Sequence, residues 1–181
     1  LINTPFGRVV APRRQRLRLV AGLAGYEGFQ DFALVMPPET LPAGLWLMQS
    51  VEDAKVSFPV LPLGRQQRCF SRSDLVEAAG GLGLAPDDCQ ILLIMILRQT
   101  AAGLGCQANL RAPVILDPRR RLARQHVFHD HRQPFRRRIP AALLGEGSEL
   151  FQSMPTIGAA VGTAIASIRA TADTRPASAP R

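Results

Sequence analysis

Lysine is almost missing from this chain: Lys55 is the only one, although 22 residues are basic and the formal net charge is +8. An arginine excess of this kind reads first as genomic base composition and second as recognition chemistry. With no lysine following Gly22-Leu23-Ala24-Gly25, and no strand-to-helix context, a phosphate-cradling loop is excluded and these glycines mark a turn. Cysteine is scarce too. Cys69, Cys89 and Cys106 are odd in number and too far apart for paired-cysteine zinc ligation, which excludes a disulfide framework and a structural metal and fits a reducing cytosol. Trp46 and Tyr26 are each the sole residue of their type, beside eight phenylalanines. No aromatic-studded strand of the kind that stacks RNA bases is visible. No serine occupies a glycine-flanked elbow, and no serine, histidine and acid fall into a recognised triad order, so the chain is not expected to be an enzyme or to need a cofactor. The N-terminus has no apolar stretch behind a basic patch, so no secretory signal is indicated and a cytoplasmic protein is expected. Leu1 stands where a start methionine would, which fits a non-standard start codon or a shortened chain.

What is present is a chain of 181 residues, 46% hydrophobic, long enough to bury one substantial core. Fifteen glycines and fifteen prolines recur at short intervals, the pattern of short strands joined by many turns. Arg16 and Arg18 alternate with Leu17 and Leu19, which predicts a half-buried strand ending near Val20. Phe32 to Met36 reads as a second strand, stopped by Pro37-Pro38. Leu45 to Ser50 and Val56 to Val60, joined across Glu52-Asp53-Ala54, read as a hairpin. One helix is predicted, with Ser71 as N-cap, Asp74 at the third position, an apolar stripe of Leu75, Val76, Ala78 and Ala79, and Gly80-Gly81 as its end. Pro86-Asp87-Asp88 is a turn. Ile91 to Leu97 is apolar at every position, as in a strand covered on both faces at the centre of the core. Asn109 to Leu116 and Arg124 to Phe128 flank a type I turn begun by Asp117-Pro118, and Pro113 places that hairpin at an edge or a bulge. The expected fold is mainly β: a compact antiparallel barrel-like or sandwich domain with one or two short helices, plus a C-terminal helical extension.

Beyond Pro140 the chain becomes rich in alanine and glycine. Residues 141–172 are expected to form a soluble amphipathic helix that docks on the barrel or on a partner. A membrane helix is the competing reading of the uncharged run from Leu150 to Ile168, but Pro155, Thr156, Thr163 and Ser167 dilute it. Residues 173–181 read as a disordered tail. His126, His129 and His131 crowd together, and on a strand His129 and His131 would share a face; an exposed histidine group beside Arg132 is preferred over a metal site, because no further ligand is evident. Arginine clusters at residues 13–18, 119–121 and 136–138 suit solvated turns and strand edges, and would attract phosphate or carboxylate groups. A pI near 11 keeps weak, sequence-blind nucleic-acid binding open as the alternative function.

Taken in order, Gly22-Leu23-Ala24-Gly25-Tyr26-Glu27, Met48-Gln49-Ser50-Val51-Glu52-Asp53 running into Ser57-Phe58-Pro59-Val60, Ala108 to Ile115, Arg124 to Phe128, and Gln133-Pro134-Phe135-Arg136-Arg137 make the chain resemble the FliW family of flagellar assembly factors over roughly residues 2–140. The chain departs from the family pattern at Ala24, where proline is usual, at Arg137, where histidine is usual, and in its basic charge. The resemblance implies a FliW-like β domain over residues 1–140 with a barrel-like fold. It also implies two protein partners, the RNA-binding translational repressor CsrA, bound allosterically away from its RNA face, and flagellin, which competes for the same protein. The chain would then be a monomeric partner switch without metal or cofactor. Exposed polar loops on a rigid frame suit such exchange. The expected partner-binding residues are Gln49, Ser50, Glu52, Asp53, Asn109 and Arg111, with the two acids the strongest candidates for pairing with a basic repressor; hairpin shaping is the competing role for Gln49, Ser50 and Asn109.

Overall fold

The structure, a computed structural model, describes residues 1–139 apart from 38, 40, 64–68, 102, 130–132 and 135. The expected helical extension over 141–172, the tail over 173–181 and the Leu150–Ile168 run lie outside the described residues, as does His131. Among the described residues no helix is long and apolar enough to cross a membrane.

The fold is mainly β, as its sequence pattern indicates. A short hairpin of β1 (Ile2–Thr4) and β2 (Gly7–Val9) opens the chain. The main sheet follows with β3 (Arg16–Leu19), β4 (Asp31–Val35), β5 (Trp46–Ser50), β6 (Ser57–Leu63), β7 (Gln90–Thr100), β8 (Gly103–Ala108), β9 (Val114–Asp117), β10 (Leu122–Gln125) and β11 (Arg137–Arg138). Consecutive antiparallel pairings link β3 through β7. β9 then pairs with β7 on one side and β10 on the other, and β10 returns to β3. The sheet therefore closes on itself as a barrel, with no free edge along that ring. The closing pair, β3 with β10, is parallel, the one departure from the antiparallel pattern among the described strands.

Alternation explains which side chains fill the barrel. Leu17, Leu19, Phe32, Leu34, Trp46, Met48, Val60, Leu92, Val114, Leu116 and Ala123 form its interior. Their neighbours point outward, yet much of that outer face is also covered. The N-terminal hairpin lays Ile2 over Ala33, Val35 and Leu47, so β5 is buried at all five positions. The helix α1 (Arg72–Gly80) and its exit cover Ile115 and Phe128 with Ala78 and Leu82. The far half of β7 leaves the barrel and pairs with β8, which carries β11 on its other edge; Met95, Cys106, Ala108 and Ile139 pack there against Leu61 and Leu93.

Helix α1 begins as its sequence predicts. Ser71 Oγ accepts from the Asp74 N–H at 3.1 Å and Asp74 Oδ2 accepts from the Ser71 N–H at 3.0 Å, a reciprocal capping box. Two expectations are corrected. Residues 109–112 are a turn instead of the start of a strand, and Pro113 lies at neither an edge nor a bulge. β9 is paired on both sides, and Pro113 sits just ahead of it, where the absent N–H removes no ladder bond and its carbonyl accepts from His126 N–H at 2.9 Å. β10 ends at Gln125, short of the expected Arg124–Phe128 strand, so His126 and His129 fall beyond it.

Candidate functional site

Strand directions decide where the quoted motifs meet. β3 ends, β4 begins, β5 ends, β6 begins and β10 ends at the same end of the barrel, as the pairings Arg18 with Asp31, Ser50 with Phe32, and Gln49 with Ser57 require. β9 starts there as well, with Val114 opposite Gln125. The loops over residues 20–30, 51–56 and 109–113 therefore crown one end, the loop end. Three segments far apart in sequence share it.

The β5–β6 turn is fixed from beneath. Gln49 is 0% exposed, and its Nε2 faces the carbonyl oxygens of Ser50 (3.1 Å), Asp53 (3.0 Å), Ala54 (3.4 Å) and Val56 (3.2 Å). A side-chain amide thus satisfies the inward carbonyls of a loop whose backbone has no sheet to bond to. Ser50, 1% exposed, accepts on Oγ from the N–H groups of Glu52 (3.1 Å) and Asp53 (3.2 Å). Asp53 Oδ1 accepts from Lys55 N–H at 2.8 Å, while the Val51 N–H bonds to the Asp31 carbonyl at 2.9 Å. The Glu52 side chain is exposed and that of Asp53 half-buried.

The β3–β4 loop is built on glycine. Gly22 lies at φ +70° with the Glu27 backbone so close that a Cβ would sit 2.6 Å from Glu27 Cα, and Gly25 lies at φ +83°. The Gly25 N–H donates to Glu27 Oε1 at 2.8 Å, which lowers the Glu27 carboxyl from its ordinary value. Tyr26, 43% exposed, meets Phe58 edge-on with ring centroids 5.0 Å apart, tying this loop to β6. Gln125 joins two further segments: its Oε1 accepts from Ala24 N–H at 2.8 Å and its Nε2 donates to the Ala112 carbonyl at 3.3 Å.

The β8–β9 loop is an Asx turn. Asn109 Oδ1 accepts from the N–H groups of Arg111 (3.1 Å) and Ala112 (3.2 Å), and Arg111 Nε donates to the Phe128 carbonyl at 3.2 Å. The six residues expected from sequence thus lie at one end of the barrel. Gln49, Ser50, Glu52 and Asp53 share a hairpin; Asn109 and Arg111 stand on a separate loop. Gln49, Ser50 and Asn109 spend their hydrogen bonds on the frame, and Glu52 alone of the six is exposed. Sequence reasoning missed Gln125 and the Tyr26–Phe58 contact, although the Gly22–Glu27 motif pointed at the loop they anchor. Among the described residues no group of three or more His, Cys, Asp or Glu converges on a point. His126 Nε2 instead lies 3.1 Å from Glu77 Oε1.

These features define a class, the small closed β-barrels whose polar groups are carried on braced loops at one end. The family model described as FliW protein matches residues 1–139, most of the chain, and the chain belongs to the FliW family of flagellar assembly factors. It is 30% identical over 136 residues to a flagellar assembly factor FliW of Azoarcus sp., covering 71% of this chain and 90% of that protein. A flagellar assembly factor FliW of Leptospira biflexa is 27% identical over 149 residues, covering 80% of this chain and 94% of that one. Among solved structures, a crystal structure of the flagellar assembly factor FliW superposes with a TM-score of 0.57 at 16% identity, over 76% of this chain and 94% of that one, a likeness of fold.

Proposed function

We propose that this protein is a cytoplasmic partner switch in flagellar assembly: it binds the translational repressor CsrA and, competitively, flagellin, so that unsecreted flagellin releases the repressor and export controls synthesis. The observation that carries the reading is the β5–β6 turn. Its backbone is locked by Gln49 and Ser50 while Glu52 projects from it, so a carboxylate is presented to a basic partner at little ordering cost. Asp53 stands beside it, and Asn109 and Arg111 brace the neighbouring loop that would complete the contact. In this reading Gln49 and Ser50 act through the loop they shape, and Glu52 and Asp53 touch the partner.

Mixing purified protein with CsrA on a size-exclusion column at moderate salt tests the proposal. A stoichiometric complex is expected, and adding flagellin should replace it with a flagellin complex. If neither protein co-elutes, the reading fails.

A further inference from the structure

We infer that the end of the barrel opposite the loop end is a second binding surface, for the phosphate backbone of single-stranded nucleic acid. Two segments distant in sequence meet there. A 3-10 turn running into β3 presents Arg13, Arg14 and Arg16, with Arg18 further along the strand toward the loop end, and the β9–β10 turn presents Arg119 and Arg121; all six are exposed. Direct bonds join the segments: Arg121 Nη1 donates to the Arg13 carbonyl at 3.4 Å and the Arg18 N–H donates to the Arg121 carbonyl at 2.9 Å.

These six form no ion pair, although exposed Asp31 stands across the strand pair from Arg18, and exposed Asp87 and Asp88 lie just ahead of β7 on the side of the β9–β10 turn. The ion pairs found among the described residues are Arg72–Asp87, Arg120–Asp117 and His126–Glu77, and none includes them. Arg16 and Arg121 donate only to carbonyls and Arg18 to the amide oxygen of Gln30. The acid within the β9–β10 turn, Asp117, is buried and engaged by Arg120.

Arg121 supplies the second observation. Its φ of 57° places it in the left-handed region, the one non-glycine residue there among the described residues. The last position of such a hairpin turn ordinarily holds glycine or asparagine. An arginine kept at a strained position points to a use for its side chain.

Planar guanidinium forks match phosphate oxygens. Arg16 and Arg18 project from one strand face about 7 Å apart, a repeat suited to an extended polyanion. Tyr26, the exposed aromatic among the described residues, belongs to the other end, so bases would not be stacked and binding would be blind to sequence. The exposed apolar side chains that flank these arginines in sequence, Val10 and Val20, are not the aromatic anchors that dominate protein interfaces. The inference does not depend on the flagellar reading, since it concerns the other end of the molecule.

Fluorescence anisotropy with a labelled uridine RNA of about 20 nucleotides and its DNA counterpart, titrated between about 50 and 200 mM salt, tests it. Both should bind, weakening steeply with salt. The informative variant is Arg121→Gly, which relieves the backbone while deleting one charge: thermal stability should hold or rise, and the slope of log affinity against log salt should fall by about 0.7. Arg13→Gln with Arg14→Gln should weaken binding by about tenfold at low salt, against under about threefold for the charge-matched control Arg98→Gln with Arg138→Gln on the β7–β8–β11 ribbon. Absence of binding at low salt, or equal loss in the control, would overturn the inference. So would poly-glutamate or phosphatidylserine vesicles competing better than RNA, which would assign the surface to an acidic protein or a membrane.

Discussion

The two ends of this barrel are made by the same strands and solved in opposite ways. At the loop end the chain uses side chains to serve backbone: Gln49, Ser50, Asn109 and Gln125 bond loop N–H and carbonyl groups, and Gly22 and Gly25 adopt conformations other residues resist. At the arginine end the guanidinium groups of the 3-10 turn and the β9–β10 turn are left facing water, with strain accepted at Arg121. The exposed or half-buried acids Glu27, Glu52 and Asp53 gather at the first end and Arg13, Arg14, Arg119 and Arg121 at the second, so the net charge of +8 is unevenly spread. A basic protein can therefore meet a basic partner, provided the acidic end leads. Repulsion from the far end is screened beyond a Debye length of about 10 Å.

The largest expected effect comes from breaking the loop end at its tightest point. Gly22→Ala puts a Cβ into the Glu27 backbone at positive φ, and should cost about 3 kcal/mol in denaturant unfolding by combining backbone strain with overpacking. Next, Gln49→Ala strands buried carbonyls and opens a small void, for about 2–3 kcal/mol by the same measurement. Ser50→Ala leaves two N–H groups without their acceptor and should cost about 1 kcal/mol. At the other end the sensitivity is to pH. Hydrogen bonds from Arg120 lower the Asp117 carboxyl in the folded protein. A carboxylate so lowered stabilises the fold fully above its unfolded value, and that share is lost as pH falls through the folded one. Acid titration of stability below the ordinary carboxylate range should therefore flatten in Asp117→Asn. Smallest of all, Glu52→Ala should shift stability by under about 0.5 kcal/mol, because its side chain serves no frame contact. A large loss there would show that the division between frame and projecting group is drawn in the wrong place.

How much of this was legible depended on how local each signal was. The Ser71–Asp74 cap, the β5–β6 hairpin and the Asp117-Pro118 turn are written in residues three or four apart, and each formed as read. Ile91 to Leu97, apolar at every position, announced a strand with both faces covered, and β7 is indeed packed on one face in the barrel and on the other against β8 and its neighbours. β8 was hidden, because Gly103, Gly105 and Gln107 carry little strand preference and the pairing with β7 supplies it. The burial of Gln49 and Ser50 was equally invisible: the two face opposite sides of β5, and each is covered by the β5–β6 turn whose backbone it bonds. Arg13, Arg18 and Arg121 could be seen as clusters but not as neighbours, since the parallel closure of β3 on β10 brings them together.

In the proposed switch a rigid turn offers its acids to a regulatory protein. Isothermal titration of CsrA into the wild-type chain and into Glu52→Lys combined with Asp53→Asn, where asparagine retains the acceptor for Lys55, tests it most directly. Binding by the wild type and its loss in the variant, at an unchanged thermal midpoint, is the predicted result. Equal binding by both proteins, or none by either, would contradict it.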